Sequence, residues 1–294
     1  MMRRLVALCF FLLISLHGFS MRKERVYVTC EDGHKMAVLI YRPENSTADV
    51  ATGVLWIHGG GYITGMASMA GMMGMGPLLV KDHGCVIISP EYRLGRKGRY
   101  PNALNDCYAA LKYMLERAGE LGIRRDQIFV GGESAGGGLC AALCMLARDK
   151  GEVNIAFQMP LYPMIDDRDT DSSRDNHSKV WNTKRNHYGW KTYLGNLYGT
   201  DDVPAYAAAA RQTDYGKLPP AYTFVCTGEP FYCETLAFVD NLRAAGVEAG
   251  LDVYDGLYHA FDMLQPGKDI SKTAIGRFEA AFDEAIKKYF ANND

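Results

Sequence analysis

A serine lies between two glycines at the point where an apolar run ends. GGESAG directly follows the apolar run QIFV and opens the small-residue run SAGGGLCAALCMLARD. In a G-x-S-x-G pattern between a strand and a helix the serine lies on a sharp turn, where side chains two residues to either side would clash. The amino end of the helix also favours developing negative charge. The pattern predicts Ser134 as a nucleophile for acyl transfer.

Three consecutive glycines follow another apolar run. The pentapeptide HGGGY comes directly after VLWI. Acyl transfer passes through a tetrahedral oxyanion, which backbone N–H groups reach only where no side chain blocks the approach. We predict Gly60, Gly61 and Ala135, the residue after the serine, as the oxyanion donors, and His58 as a brace for the loop. A phosphate-binding loop is the alternative, but the Lys and Ser or Thr of a P-loop are missing.

A general base is expected late in the chain. His259 lies in YDGLYHAFDM, just past the apolar run LDVY, on a loop that should return to the edge of the sheet that carries Ser134. The other histidines considered lie before or far from such a loop: His17, His34, His83, His177 and His187. His259 is therefore the predicted base.

The acid that orients the base is a choice among five carboxylates. Glu229 comes directly after the strand-like run YTFVCTG, on a loop from which it can reach the outer nitrogen of the imidazole. Glu234 and Asp240 fall on the next helix, Asp252 falls inside a strand, and Asp255 is close to the histidine in sequence. We favour Glu229, with Glu234 as the alternative.

Short β-rich runs alternate with longer helical patterns, which is typical of an α/β sheet. The first strands are close enough to pair antiparallel, whereas the later ones need helical crossovers and should be parallel. Strands are predicted at 25–29, 36–41, 53–58, 85–90, 127–131, 155–159, 222–227 and 250–254. Helices are predicted at 69–82, 102–119, 134–149, 233–245 and 271–290.

A polar stretch at 166–217 interrupts this alternation. It is rich in Asp, Asn and Tyr and has no strand-like run, and insertions of this length are usually functional. Its aromatic residues could line a substrate pocket, although an aromatic core of the inserted segment is the favoured interpretation: Trp181, Tyr188, Trp190, Tyr193 and Tyr198. The methionines at 66–75 could likewise form a pliable acyl pocket or simply fill gaps.

Composition narrows the classes of partner. The 294 residues are 48% hydrophobic, enough for one large α/β domain with an insertion or for two small domains. The formal net charge of −2 gives no basic face, which argues against nucleic acid as a partner. The scattered cysteines imply no disulfide framework, and Cys140 and Cys144 lack a CxxC or nearby histidine to complete a metal site.

The first 20 residues have the pattern of a secretory signal peptide. Arg3 and Arg4 precede an apolar run at 5–16, and Gly18 and Ser20 provide small residues at its end. The run is short for a membrane span, so no stable span is expected in the mature chain. A cytoplasmic protein starting at Met21 and a hydrophobic lid helix are the alternatives, with export slightly favoured.

The chain carries seven short motifs of one family: HGGG, YRL, YPNALNDCYAAL, GESAGG, LPPAY, EPF and YHAF. Together they resemble the hormone-sensitive-lipase-type bacterial esterases over nearly all of the chain after residue 26. The resemblance implies an eight-stranded α/β-hydrolase sheet with a cap, and hydrolysis of short- to medium-chain acyl esters without cofactor or metal. In that family the residue before the Pro of the EPF-like motif is the acid, which supports Glu229.

The sequence also departs from this family. Few residues precede the first strand if 1–20 is removed, so a smaller and more open lid over a single domain at 21–294 is expected, and YHAF replaces the commoner YHGF. Similar proteins such as the gibberellin receptors lose the catalytic histidine, which this chain retains at His259. A carboxylesterase is the favoured function; an amide or peptide hydrolase and a non-catalytic binder are the alternatives.

Overall fold

Eight strands form one sheet in the part of the chain that the computed structural model describes, residues 21–44 and 50–293. The predicted leader at 1–20 lies outside the described residues. The strands are β1 (Met21–Thr29), β2 (Lys35–Pro43), β3 (Ala51–Ile57), β4 (Val86–Pro90), β5 (Ile123–Glu133), β6 (Phe157–Leu161), β7 (Ala221–Cys226) and β8 (Ala249–Tyr254). Their spatial order is β1-β2-β4-β3-β5-β6-β7-β8.

The directions of the strands follow from the lengths of their connections. β1 pairs antiparallel with β2, and β2 pairs antiparallel with β4. All later pairs, from β4 with β3 to β7 with β8, are parallel. Parallel neighbours need crossover connections, which bring the carboxyl ends of β3, β5, β7 and β8 to one edge. The predicted mostly parallel, eight-stranded sheet is confirmed.

Helices cover both faces of the sheet. They are α1 (Gly76–Lys81), α2 (Asn102–Glu116), α3 (Ala118–Leu121), α4 (Ala135–Lys150), α5 (Thr183–Leu194), α6 (Tyr232–Ala244), α7 (Phe261–Leu264) and α8 (Asp269–Lys288). The buried apolar side chains of α2 and α4 belong to one cluster, those of α1 and α8 belong to a second one, and α6 contributes to both. None of the helices in the described ranges is both long and apolar enough to cross a bilayer.

The single helix predicted at 69–82 is wrong in its first half and correct only at Gly76–Lys81. The chain forms a 3-10 helix at Ala67–Gly71, turns, and begins α1 at Gly76. Gly74 has a φ of +69°, a conformation that ends a helix. Pro77 fits the first turn of α1, where its missing N–H has no cost. Glycines within the methionine-rich run therefore divide one apparent helix into two short ones.

The polar insertion lies between β6 and β7. Its main element is α5, with 3-10 turns at Gly195–Leu197 and Ala209–Arg211. The side chain of Asn182 caps α5 by accepting a hydrogen bond from the Arg185 amide. The insertion contains no strand, as predicted, and helix α5 places aromatic side chains next to the loop that follows β3.

Candidate active site

Ser134 lies on a strained turn between β5 and α4. Its φ and ψ are 58° and −121°, values that a residue other than glycine rarely adopts. The turn is also tightly packed, because a Cβ on Gly132 would lie 2.5 Å from the carbonyl oxygen of Ile57, and one on Gly136 only 2.0 Å from the same atom. Glycine on both sides is thus a packing requirement of the turn.

The ring of His259 faces this serine. The residue follows β8, and its Nε2 atom lies 2.8 Å from Oγ of Ser134. Its Nδ1 atom is hydrogen-bonded to Oε2 of Glu229. The rings of Tyr162 and Phe231 contact the imidazole edge-on, with centroid distances of 5.0 Å each. These contacts fix the plane of the imidazole between the hydroxyl and the carboxylate.

Glu229 follows β7 and is fully buried. While Oε2 bonds the imidazole, Oε1 accepts hydrogen bonds from the amide and the thiol of Cys226, at 3.1 and 3.2 Å. Each oxygen therefore has its own partner, which orients the carboxylate. The structure brings together Ser134, His259 and Glu229, the three residues that the sequence singles out.

The other candidate acids have different partners. Glu234 is buried on α6, where its Oε1 accepts the amides of Ile165 and Asp166 at 2.7 and 3.2 Å. Three remaining carboxylates bond elsewhere: Asp240 pairs with Arg243, Asp252 with Tyr222 and Arg277, and Asp255 with Thr227. Their positions leave Glu229 as the carboxylate at the imidazole.

The glycine loop after β3 lies against the serine. A Cβ on Gly59 would lie 3.3 Å from Cβ of Ser134. Gly60 and Gly61 have φ values of 119° and 61°, and their amides donate none of the backbone hydrogen bonds of this described loop. The Ala135 amide is at the first turn of α4, where helix amides lack intrahelical partners. Three amides without backbone partners thus belong to segments beside Ser134.

His58 stabilises the glycine loop through hydrogen bonds and ring stacking. Its Nδ1 atom lies 2.8 Å from the carbonyl oxygen of Gly59, and its own carbonyl accepts the Tyr92 hydroxyl at 2.8 Å. The imidazole stacks on the Tyr92 ring, with centroids 4.2 Å apart. Burial lowers the pKa of His58 to about 4, so the ring is neutral at pH 7. These contacts fit a bracing role.

Sequence reasoning missed a buried carboxyl pair next to the site, formed by Glu133 and Asp262. Glu133, the variable position of the GESAG motif, accepts the Trp56 indole N–H. Asp262 accepts the hydroxyl of Tyr162 at 3.3 Å. Burial raises the pKa of Glu133 to about 8, with a further contribution from the charge of Asp262, and burial raises the pKa of Asp262 to about 6. The sequence carries no signal for this pairing, because the two residues are far apart in the chain.

The aromatic residues of the insertion have different roles. Trp190 and Tyr193 are buried and pack on Tyr62, which fits the aromatic core favoured from the sequence. Tyr188 is 61% exposed. Trp181 instead touches the glycine loop, since a Cβ on Gly61 would lie 2.0 Å from its ring.

The methionines after the glycine loop do not share one environment. Met66 and Met72 are exposed, whereas Met75 is buried in the core. Cys140 and Cys144 are free and buried in α4. Within the described ranges, no group of three or more His, Cys, Asp or Glu side chains is placed to hold a metal ion.

Comparison with known proteins places these features in context. A family model described as alpha/beta hydrolase fold matches residues 54–263. An arylesterase of Saccharolobus solfataricus is 30% identical over 236 residues, which cover 78% of this chain and 74% of the arylesterase. Esterase LipI of Mycobacterium tuberculosis is 29% identical over 230 residues, covering 74% and 67%. A solved bacterial heroin esterase superposes with a TM-score of 0.84 at 34% identity, over 92% of this chain and 85% of that one.

Proposed function

Because the chain belongs to the alpha/beta hydrolase fold family, we propose that it is a serine carboxylesterase that cleaves acyl esters through an acyl-enzyme. The family resemblance predicted from the motifs is confirmed by the matching family model and the esterase relatives. The observation that carries the proposal is the 2.8 Å distance between Nε2 of His259 and Oγ of Ser134, with Glu229 bonded to the opposite nitrogen.

Acylation begins at the serine hydroxyl. Nε2 of His259 takes the hydroxyl proton of Ser134 while Oγ of Ser134 attacks the ester carbonyl carbon. Glu229 keeps the proton of the imidazole on Nδ1 and stabilises the imidazolium that forms. When the tetrahedral intermediate collapses, the bond to the alcohol oxygen breaks and His259 returns the proton to the leaving alkoxide.

The oxyanion is bound by backbone amides in this proposal. Gly60, Gly61 and Ala135 are the donors, and preorganised donors of this kind account for about 10²- to 10³-fold in rate each. Because the sharp turn places Ser134 at the amino end of α4, the helix dipole adds to this stabilisation.

Deacylation repeats the same proton transfers with water. A water molecule gives its proton to His259 and attacks the acyl carbonyl, and the Oγ of Ser134 leaves as the proton returns to it. Both half-reactions use the protein's own acid–base groups, so the proposal includes neither a cofactor nor a metal. The proposed substrates are small esters with short to medium acyl chains.

A series of p-nitrophenyl esters from acetate to decanoate tests this function. Ser134→Ala should lower kcat by several orders of magnitude, about 10⁶-fold in a well-studied serine hydrolase. Ser271→Ala is the matched control, because Ser271 is also buried but its hydroxyl donates to the carbonyl of Phe261. Activity in Ser134→Ala equal to wild type would disprove the assignment.

Two further outcomes separate the alternative functions. If matched p-nitroanilides are cleaved with a kcat/KM as high as that of the esters, the protein is an amide hydrolase. If wild type is inert towards every ester and does not react with a fluorophosphonate at Ser134, the esterase proposal fails and a binding role is favoured.

A further inference from the structure

Trp181 of the insertion packs directly against the backbone of Gly61. A Cβ on Gly61 would lie 2.0 Å from Cη2 of the indole and 2.8 Å from two neighbouring ring carbons. The indole therefore occupies the space that any side chain at Gly61 would need. Gly189 of α5 leaves room on the other side, where a Cβ would lie 3.0 Å from the Gly61 carbonyl oxygen and 3.3 Å from the indole.

The indole is itself fixed by α5. Its Nε1–H donates to Oδ1 of Asn186 at 3.3 Å, and Asn186 is buried one turn into that helix. The backbone N–H of Asn186 in turn donates to the backbone carbonyl of Asn182, the cap of α5. The ring in contact with Gly61 is thus attached to the most regular element of the insertion.

The same segment is tied to the loop of the catalytic acid. Asn176 donates from Nδ2 to the carbonyl of Gly228 at 3.3 Å, and Ser172 donates from Oγ to the carbonyl of Pro230 at 2.6 Å. These carbonyls flank Glu229 on either side. Thr183, the first residue of α5, closes the segment by donating from Oγ1 to the carbonyl of Ser173 at 2.6 Å. One continuous segment therefore bridges the acid loop and the glycine loop.

We propose that Trp181 is a positioning residue for ester hydrolysis, which holds the Gly61 amide in its oxyanion-binding orientation and links it to the Glu229 loop. The proposal rests on the proposed function. Gly61 has a φ of 61° and no side chain, so its own conformational preferences do not select one orientation of the amide. The large rigid ring on one side of it removes that freedom, and misplacement of a catalytic group by about 1 Å can lower the rate about 10²-fold.

Trp181→Ala tests the proposal with p-nitrophenyl acetate. We expect kcat to fall about 10- to 100-fold while KM stays within about twofold, because the oxyanion interaction is made in the transition state. The affinity for an aryl trifluoromethyl ketone should fall by the same factor as kcat/KM, since its adduct with Ser134 carries the same oxyanion. Tyr188→Ala is the control, because it removes an exposed aromatic side chain from α5 of the same insertion.

Active sites are counted with a fluorophosphonate, so that unfolded protein is not mistaken for slow enzyme. Gly189→Ala provides a second variant that keeps Trp181: alanine favours the helix, but its methyl group would press on the Gly61 carbonyl and the indole. We expect kcat per active site to fall severalfold in this variant as well. Unchanged kcat and unchanged ketone affinity in Trp181→Ala would overturn the positioning role while leaving Ser134 as nucleophile. An inert wild type would instead refute the esterase function itself.

Discussion

The indole N–H of Trp56 lies 3.0 Å from each carboxylate oxygen of Glu133, the residue before the nucleophile. Both side chains are buried, and the Tyr162 hydroxyl donates in a similar way to the neighbouring Asp262. These donors are neutral, so their hydrogen bonds place no positive charge beside the two carboxyls. Burial of like charges without a cation favours the protonated form. The turn that carries Ser134 therefore adjoins a carboxyl pair that is at least partly protonated near neutral pH.

Glu133→Gln should change how stability depends on pH. The folded chain raises the pKa of Glu133 from 4.5 to about 8, so between these values the folded state holds a proton that the unfolded state releases. The contribution of Glu133 to the free energy of unfolding then falls as pH rises through this window, by up to about 1.4 kcal/mol per pH unit. Glutamine keeps the shape and still accepts from Trp56, so the Tm of the variant should fall less between pH 5 and pH 8.

Two variants control this measurement of thermal unfolding against pH. Asp262→Asn should remove a contribution at lower pH, between 3.8 and about 6. Glu116→Gln removes an exposed carboxylate of α2 and should leave the wild-type curve unchanged. Parallel curves for wild type and Glu133→Gln would show that Glu133 is ionised in the folded state across the whole range.

Glu229→Gln tests the identity of the acid. The amide cannot stabilise the imidazolium of His259, and a comparable change in a serine protease lowers kcat about 10⁴-fold. Glu234→Gln is the matched control. Glu234 is also a buried glutamate and lies on α6, the helix that follows the Glu229 loop, but its carboxylate accepts the Ile165 and Asp166 amides. Both bonds go to Oε1, so the oxygen of glutamine can still accept them, and kcat for p-nitrophenyl acetate should stay within about threefold of wild type. A larger loss in Glu234→Gln than in Glu229→Gln would reverse the assignment.

The sheet and the residues of the candidate site follow from local sequence patterns. Ser134 comes directly after β5, whereas Glu229 and His259 lie in the loops that follow β7 and β8. Parallel strands with helical crossovers bring these ends to one edge, so order along the chain is enough to group the three side chains. The distance of 2.8 Å between His259 and Ser134 is the result of that grouping.

Other features depend on contacts that no local pattern encodes. The run at 69–82 has helical composition, yet Gly74 and Gly76 are positioned by Glu133 and Ala70, and the single predicted helix does not form. The seating of Trp181 on Gly61 joins residues 120 positions apart through an insertion that has no regular periodicity. Side-chain packing between distant segments decides both cases.

Gly136→Ala should disrupt the turn that carries Ser134. Its Cβ would lie 2.0 Å from the carbonyl oxygen of Ile57 and 2.6 Å from that of His58, both backbone atoms at the end of β3. Either α4 or the glycine loop must move, and overpacking of this kind costs about 3 kcal/mol. We therefore expect a lower Tm together with a kcat reduced by more than about 10²-fold, since the loop carries two of the proposed oxyanion donors.

Gly276→Ala provides the opposite case on the same fold. Gly276 lies within α8, and a Cβ there would meet no atom within 4 Å. Alanine should stabilise this helix by about 0.5–1 kcal/mol and leave kcat unchanged. If Gly136→Ala matched Gly276→Ala in both Tm and kcat, the close approach of β3 to the turn at Ser134 would be relaxed in solution. Glycine would then not be required at position 136.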